Sequence, residues 1–223
     1  MKFVEYPDRE MMMIELANIL AGALTERLMG HETASLAVPG GTTPGPVFDA
    51  LCAIDIDWSR VNIMLTDERW VPDHSERSNT ALIRRRLLTG PAAAANFIPF
   101  YDGSDTPEEA VVSLEKTVAP ALPLSLLLLG MGGDLHTASL FPGADRLAEG
   151  LSKSAPPVLP MRAPGAPEAR MTLTAPILQG AMATHVLITG SEKRDALENV
   201  DGMSVEEAPI KLILNQATVH WSA

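Results

Sequence analysis

Apolar residues along this chain follow two patterns, short continuous runs and positions spaced by three or four residues. The longest spaced pattern extends from Asp8 to Met29. Its apolar members are Met13, Leu16, Leu20, Leu24 and Leu28. This spacing places them on one face of a helix, which Gly30 is expected to end.

Short apolar runs predict the strands. They are MKFVEY, an expected edge strand, then ASLAV, VNIMLT, LSLLLL, RMTLT, THVLITG and ATVHWS. Helices are predicted between them, one with Pro44 in its first turn and two others with Ser78 and Thr106 as caps. Further helical segments are APILQGA and SEKRDALENV, and SAPPVLPMRAPGAPEAR is expected to be an extended excursion that packs through VLPM.

Strands that alternate with helices predict an α/β fold, with a mostly parallel sheet and helices on both faces. The length of 223 residues suits a single domain spanning residues 1–223. In such folds ligands gather at the carboxyl ends of the strands. The loops that follow strands are therefore the expected location of any chemistry.

Charge and cysteine content narrow the range of functions. The formal net charge of -11 disfavours partners such as nucleic acid and anionic membranes, so an anionic ligand needs a few local cations. Cys52 is the only cysteine, which excludes an intrachain disulfide. The charged N-terminal segment lacks the apolar core of a signal peptide, and no apolar run is long enough to cross a bilayer. A cytoplasmic location is expected.

Three loops directly follow apolar strands, and in a parallel sheet all three would lie at the same edge. The first, PGGTTPG, combines glycines that permit a tight turn with hydroxyls placed before a helix, which suits a phosphate. These residues are Gly40, Gly41, Thr42 and Thr43. The alternative for this loop is a turn with a helix cap.

The second loop, TDERWVP, has Asp67, Glu68 and Arg69 in sequence. Such a group is often a solvated salt-bridge cluster, but at the end of a buried strand a planar guanidinium favours an anion clamp.

Three further cations follow later in the chain. Arg170 precedes the strand MTLT, and Lys193 and Arg194 lie in the first turn of a predicted helix. Cations there oppose the helix dipole, so either they are exposed or they serve a nearby anion.

The third loop, GMGGDLHTASLFPG, places Asp134 two positions before His136. A histidine beside an aspartate can act as a general base near neutral pH. The alternatives are a structural histidine, or a metal site shared with Asp67 that no recognised spacing supports. Ser139 is not expected to be a nucleophile because the G-x-S-x-G frame is absent. The other histidines are expected to be surface or packed residues: His31, His74, His185 and His220.

The ordered set of motifs resembles that of the 6-phosphogluconolactonase family, which is related to glucosamine-6-phosphate deaminases and isomerases. The matching segments are VPGGTTP, TDERWVPDHSERSN, GMGGDLHTASLFPG, ARMTLT and ITGSEK. The resemblance implies a Rossmann-like, glucosamine-6-phosphate deaminase-like fold with a small subdomain, and no metal or organic cofactor. It also implies hydrolysis of 6-phospho-D-glucono-1,5-lactone to 6-phosphogluconate in the oxidative pentose phosphate pathway. We expect a monomer or homodimer.

In that reaction we expect His136 to take a proton from water as it attacks C1 and to return it to the ring oxygen, with Asp134 supporting the imidazole. Substrate contacts are expected from Gly40, Gly41, Thr42, Thr43, Asp67, Arg69, Arg170 and Lys193. The family most often has glycine where this chain has Leu135. Because leucine excludes most conformations with positive φ, the loop around His136 is expected to differ slightly.

Two other functions stay open. An isomerase or deaminase of amino-sugar phosphates needs a carboxylate to move a proton between C1 and C2, and Asp67 is placed for it. Against this, such relatives usually have an aromatic residue at the position of Arg69 and a further acid in the histidine loop. The other is a non-catalytic sugar-phosphate sensor, although such regulators commonly carry a DNA-binding segment for which this acidic chain has no room.

Overall fold

Ten strands and eight α-helices make up the computed structural model, which describes residues 1–223. The strands are β1 (Lys2–Glu5), β2 (Ala34–Val38), β3 (Val61–Leu65), β4 (Asp67–Arg69), β5 (Asn96–Ile98), β6 (Leu126–Gly130), β7 (Val158–Met161), β8 (Arg170–Leu173), β9 (Ala183–Thr189) and β10 (Ala217–Ser222). The α-helices are α1 (Arg9–Gly30), α2 (Gly45–Leu51), α3 (Asn79–Arg86), α4 (Pro107–Val118), α5 (Leu147–Leu151), α6 (Ala175–Gln179), α7 (Ser191–Glu198) and α8 (Lys211–Leu214). Short 3-10 helices occur at Trp58–Arg60, Gly90–Ala94 and Ala119–Ala121.

Seven strands form a parallel sheet in the order β1-β10-β9-β6-β2-β3-β5. β1 lies at one edge, as predicted. A parallel sheet with helices on both faces buries its central strands on both sides, and every residue of β2 is buried. The predicted α/β fold class is confirmed.

The four leucines of β6 show how this sheet divides the core. Leu126 and Leu128 belong to a cluster that includes the buried face of α1, whereas Leu127 and Leu129 belong to a cluster that includes residues of α4, β7 and β8. Side chains along a strand alternate between the two faces, so a continuous apolar run supplies both clusters. Burying each leucine side chain contributes about 1.5–3 kcal/mol.

The first predicted helix is α1, and all five of its predicted apolar positions are buried. Asp8 caps it, because Oδ1 accepts a 2.8 Å hydrogen bond from the Met11 N–H. The helix ends at Gly30. No helix of the chain combines the length and the apolar character that crossing a membrane requires.

The predicted starts of the next helices are confirmed only in part. Ser78 caps α3 by accepting a backbone hydrogen bond from its first turn. Thr106 precedes α4, but its hydroxyl donates to Glu109 Oε1 at 3.0 Å and accepts nothing from the helix backbone. Pro44 lies immediately before α2, and Pro46 occupies the first turn where Pro44 was predicted.

Three strands form a second, antiparallel sheet in the order β4-β8-β7. Its strand β4 corrects the prediction that TDERWVP is a loop, and β7 lies within the predicted extended excursion. The register of β4 and β8 places Asp67 opposite Thr172 and Arg69 opposite Arg170. This sheet is the smaller unit of the predicted fold class, and it holds three of the predicted site residues.

Candidate active site

A cleft of about 370 Å³ lies where the segments that follow β2, β3 and β6 meet. Its wall includes nine of the predicted site residues: Gly40, Gly41, Thr42, Thr43, Asp67, Arg69, His136, Arg170 and Lys193. The tenth, Asp134, is outside the wall and contacts His136. The three loops thus lie at one edge of the sheet, as parallel strands require.

Two glycines shape the first loop for different reasons. Gly41 has φ of +86°, a conformation that favours glycine. At Gly40 a Cβ would overlap the Asn79 side chain. The Asn79 amide donates a 2.8 Å hydrogen bond to the Asp67 carbonyl oxygen, so the bare backbone of Gly40 allows the first and second loops to pack together.

Two arginines face each other across the small sheet. Arg69 and Arg170 are directly opposed in the β4–β8 register, and like charges in such positions repel. Arg69 donates to the Arg77 carbonyl oxygen at 2.7 Å, and the Nε atoms of both opposed arginines are buried without a partner. Burial lowers the pKa of Arg170, an effect that Asp67 opposes and Arg69 reinforces. This arrangement is suited to an anion.

Asp67 is buried and joins three segments of the site. Its Oδ2 accepts a 2.6 Å hydrogen bond from Ser139 Oγ and lies 3.6 Å from Arg170 Nη1. Its Oδ1 accepts a hydrogen bond from Thr66 Oγ1 at 3.3 Å. Both carboxylate oxygens are therefore engaged by protein groups.

Glu68 is fully buried and is not part of the cleft wall. Its carboxylate accepts hydrogen bonds from four donors: the backbone N–H groups of Arg69, Asn79 and Thr80 at 2.7 to 2.8 Å, and the Ser78 hydroxyl at 3.2 Å. Burial raises the pKa of Glu68, although these hydrogen bonds oppose the rise. The alternative of a solvated salt-bridge cluster is wrong, because Glu68 instead satisfies the amino-terminal N–H groups of α3.

The two cations of α7, Lys193 and Arg194, lie in different surroundings. Lys193 reaches the cleft wall, and burial lowers the pKa of its ammonium group while Asp134 opposes that change. Arg194 forms ion pairs with Glu5 and Glu198 instead. Only Lys193 is placed to meet a ligand in the cleft.

The histidine loop holds His136 by one ring nitrogen and by its backbone. His136 Nδ1 lies 2.5 Å from Asp134 Oδ1, and the His136 N–H donates to the same oxygen at 3.3 Å. The Gly132 N–H donates to the His136 carbonyl oxygen at 3.0 Å. A Cβ at Gly132 would overlap both His136 Nδ1 and Asp134 Oδ1. Since Asp134 engages Nδ1, Nε2 is the nitrogen left for a ligand.

Phe141 connects the imidazole to the cationic part of the site. Its ring centroid lies 4.1 Å from that of His136, with an interplanar angle of 33°. The Arg170 Cζ lies 5.7 Å from the same ring centroid. The phenyl ring is thus in contact with both the candidate base and one of the two opposed arginines.

The other histidines lie as predicted, at the surface or packed. His31 and His74 are exposed. His220 accepts or donates hydrogen bonds at both ring nitrogens, to the Tyr6 hydroxyl and to His185 Nδ1, each at 2.9 Å. No three or more His, Cys, Asp and Glu side chains of the chain are grouped so as to hold a metal ion.

Residues 7–221 match the family described as glucosamine-6-phosphate isomerases/6-phosphogluconolactonase. The chain belongs to this family. It is 39% identical over 214 residues to a 6-phosphogluconolactonase of Rhizobium meliloti, covering 93% of this chain and 92% of the relative. It is 41% identical over 216 residues to a 6-phosphogluconolactonase of Mesorhizobium japonicum, covering 95% and 90%.

Comparison with solved structures supports the assignment of the chain to this family. A 6-phosphogluconolactonase from Shewanella baltica matches with a TM-score of 0.96 and 30% identity, covering 100% of this chain and 97% of that one. A monomeric glucosamine-6-phosphate deaminase matches with a TM-score of 0.83 at 17% identity, covering 100% and 97%. At that identity the deaminase shows the fold alone.

Leu135 corrects one expectation drawn from the family pattern. It adopts φ of +66°, the left-handed conformation that leucine was expected to avoid. Its side chain is buried in the core, and its carbonyl oxygen accepts a 3.1 Å hydrogen bond from the Ile210 N–H. The left-handed conformation costs a non-glycine residue about 1–2 kcal/mol, which burial of a leucine side chain offsets at about 1.5–3 kcal/mol.

Four residues that shape the site were not predicted from the sequence. Ser139 and Phe141 follow the histidine within the third motif, and Asn79 ends the second. Glu68 stands beside the predicted arginine. Their position inside the motifs was the available signal, but their contacts depend on tertiary packing.

Proposed function

We propose that this chain hydrolyses 6-phospho-D-glucono-1,5-lactone to 6-phospho-D-gluconate, with His136 as general base. The observation that carries the proposal is that His136, paired with Asp134, lies in the wall of the same cleft as the two opposed arginines. The two curated relatives named above are 6-phosphogluconolactonases, and this chain matches them along almost their whole length.

A lactone is an activated ester, so the enzyme needs to deliver water and to stabilise charge. His136 Nε2 takes a proton from water as the oxygen forms a bond to C1, which gives a tetrahedral oxyanion. The C1–ring oxygen bond then breaks, and the imidazolium returns the proton to the ring oxygen, leaving a carboxylic acid that ionises and a free hydroxyl. Asp134 accepts the hydrogen bond of Nδ1–H, which fixes the tautomer and stabilises the imidazolium.

The anionic parts of the substrate require cations, and the cleft supplies three. We assign the phosphate to the surface formed by Lys193, the opposed arginines and the glycine-threonine loop. The guanidiniums of the buried Arg170 and the half-buried Arg69 supply charge-assisted hydrogen bonds, which are stronger than neutral ones. Arg69 serves either the phosphate or the oxyanion. The contact residues in this assignment are Gly40, Gly41, Thr42, Thr43, Asp67, Arg69, Arg170 and Lys193.

The isomerase or deaminase alternative has less support from the site. It needs a carboxylate free to move a proton between two carbons, and both oxygens of Asp67 are engaged, by Ser139, Arg170 and Thr66. Asp134 is committed to His136. Lactone hydrolysis uses the imidazole as the proton carrier and asks no such role of Asp67.

The test is a coupled assay of 6-phosphogluconate formation from the lactone at mildly acidic pH, with and without protein, because the lactone also hydrolyses spontaneously. Glucosamine 6-phosphate is tested in parallel. The proposal expects lactone consumption well above the spontaneous rate and no turnover of the amino sugar. Turnover of glucosamine 6-phosphate with no acceleration of lactone hydrolysis would contradict the proposal and support the isomerase or deaminase alternative. The single domain, the cytoplasmic location, the absence of a cofactor and the monomeric or homodimeric state stay predictions.

A further inference from the structure

Ser139 lies in the histidine loop but takes no part in the chemistry proposed above. We propose that it is a positioning residue, which acts through Asp67 to hold the Arg170 guanidinium in place beside the His136 imidazole. The kinetic part of this inference rests on the proposed lactone hydrolysis, whereas the structural part does not.

The hydroxyl and the backbone N–H of Ser139 both bind the small sheet. The residue is fully buried. Its hydroxyl donates to Asp67 Oδ2 at 2.6 Å, and its N–H donates to Thr172 Oγ1 at 3.1 Å. Asp67 and Thr172 are themselves register partners in β4 and β8. One residue of the histidine loop is therefore fixed to two adjacent strands of the other sheet.

The local backbone directs Ser139 inward. Thr137 and Leu140 form an isolated antiparallel bridge, and the Leu140 N–H donates to the Thr137 carbonyl oxygen at 3.0 Å. Ala138, inside this turn, has φ of +50°. A non-glycine residue in that conformation carries backbone strain, so the surrounding contacts must maintain the turn. The hydrogen bonds of Ser139 supply such contacts.

The Asp67 carboxylate transmits the effect to Arg170. Its ion pair with Arg170 spans 3.6 Å between buried groups, while its contact with Ser139 is a full hydrogen bond at 2.6 Å. The hydroxyl fixes the orientation of the carboxylate, and the carboxylate then fixes the guanidinium. Arg170 needs this restraint because its buried Nε lacks a protein partner and Arg69 repels it from the opposite strand.

The histidine loop also lies beside Arg170 through a second residue, Phe141. Phe141 is two residues after Ser139, and its ring is in contact with the His136 imidazole and lies near the guanidinium. Ser139, Asp67, Arg170, Phe141 and His136 thus form a closed set of neighbours that starts and ends in one loop. Loss of the serine hydroxyl would release the guanidinium side of this set while the Asp134–His136 pair remains.

The first experiment measures Arg170 directly. The Nε–H resonance of Arg170 is identified in the whole protein by its loss in R170K, and it is then compared in wild type, S139A and the control S113A. Ser113 is an exposed serine of α4 whose hydroxyl donates to the Ala110 carbonyl oxygen, and it is not part of the cleft wall. We expect S139A to shift or broaden the Arg170 signal and S113A to leave it unchanged. An unaltered Arg170 signal in a folded S139A protein would overturn the proposal.

The second experiment is a double-mutant cycle on lactone hydrolysis with S139A and R170K. If serine acts through Arg170, S139A lowers kcat/KM about tenfold in the wild-type background and less than about twofold in the R170K background. Equal losses in the two backgrounds would show that Ser139 acts independently of Arg170 and would overturn the proposal. Should S139A not fold, S139C retains a weak donor of similar size and is expected to give a smaller loss with the same dependence on Arg170.

The two proposals fail in different ways. If wild type does not accelerate lactone hydrolysis, the proposed function fails, and the resonance measurement still decides whether Ser139 positions Arg170. If wild type is active but the Arg170 signal and the cycle show no coupling to Ser139, only the positioning role fails.

Discussion

Gly132 and Gly133 are neighbours in the histidine loop, yet the space around them differs. A Cβ at Gly132 would overlap His136 and Asp134, whereas a Cβ at Gly133 would have no neighbour within 4 Å. Neither glycine has a positive φ. The absent side chain at Gly132 is therefore what allows the aspartate and the imidazole to meet.

We predict that G132A lowers kcat at least about tenfold, because the added methyl group moves the candidate base away from its working position. G133A is the matched control and is expected to keep kcat within about twofold of wild type. Steady-state kinetics of lactone hydrolysis on both variants makes the comparison. Equal activities of G132A and wild type would mean that the close packing at Gly132 is not needed.

Residues at strand ends could be predicted, while contacts inside a loop could not. The spacing of Asp134 and His136 after an apolar run indicated their pairing, and the pairing is present. Nothing in the spacing indicated that Ser139 turns inward, because the turn places Ala138 and Leu135 at positive φ, which sequence rules disfavour for these residue types. Burial of Leu135 overrides that local preference.

Strands buried on both faces were predicted closely, and short or charged elements were not. The apolar runs of β2, β3 and β6 stand out in the sequence. β4 consists of three charged residues and has no apolar pattern, so its pairing with β8 decides its conformation. β5, α5 and α8 are of three to five residues and carry too little periodicity to be seen.

The Glu68 side chain joins strand β4 to the start of helix α3. We predict that E68Q lowers the free energy of unfolding by about 2–3 kcal/mol, because an amide NH₂ would face N–H and O–H donors and leave some of them unsatisfied. E76Q is the control, since Glu76 is exposed. Thermal or urea denaturation compares the two variants. A stability of E68Q equal to that of E76Q would contradict the role given to Glu68.

The molecule also contains a mostly buried group of polar side chains that is not part of the cleft wall. Tyr6 directly follows the edge strand β1, and it forms a hydrogen-bonded row with His220 of β10 and His185 of β9. Burial, with smaller effects of His185 and Lys2, lowers the pKa of His220 to about 4. The fold therefore holds His220 neutral at neutral pH.

This lowered pKa predicts a pH dependence of stability. An unfolded histidine titrates near 6.5, so between about pH 6.5 and pH 4 the unfolded chain binds the proton and the folded chain does not. Stability is then lost as the pH falls through that window. Between pH 7 and pH 5 the unfolding free energy of wild type should fall about 2 kcal/mol more than that of H220N. Urea denaturation at the two pH values measures this, and an equal decrease in both proteins would contradict the prediction.

The net charge of the molecule and the charge of its cleft have opposite signs. The chain carries a formal charge of -11, while the cleft wall contains Arg69, Arg170 and Lys193. Local cations in a concave site raise the concentration of an anionic substrate there even when the whole surface is acidic. The account of the protein as a sugar-phosphate lactonase depends on these cations acting beside a working imidazole.

The most direct test of that account is the kcat of H136N for 6-phospho-D-glucono-1,5-lactone, measured beside wild type and corrected for spontaneous hydrolysis. General acid–base catalysis contributes about 10²–10⁴-fold, so we predict a loss of at least about a hundredfold, while H31N, a change at an exposed histidine, keeps the wild-type rate. A folded H136N protein with the kcat of wild type would contradict the account.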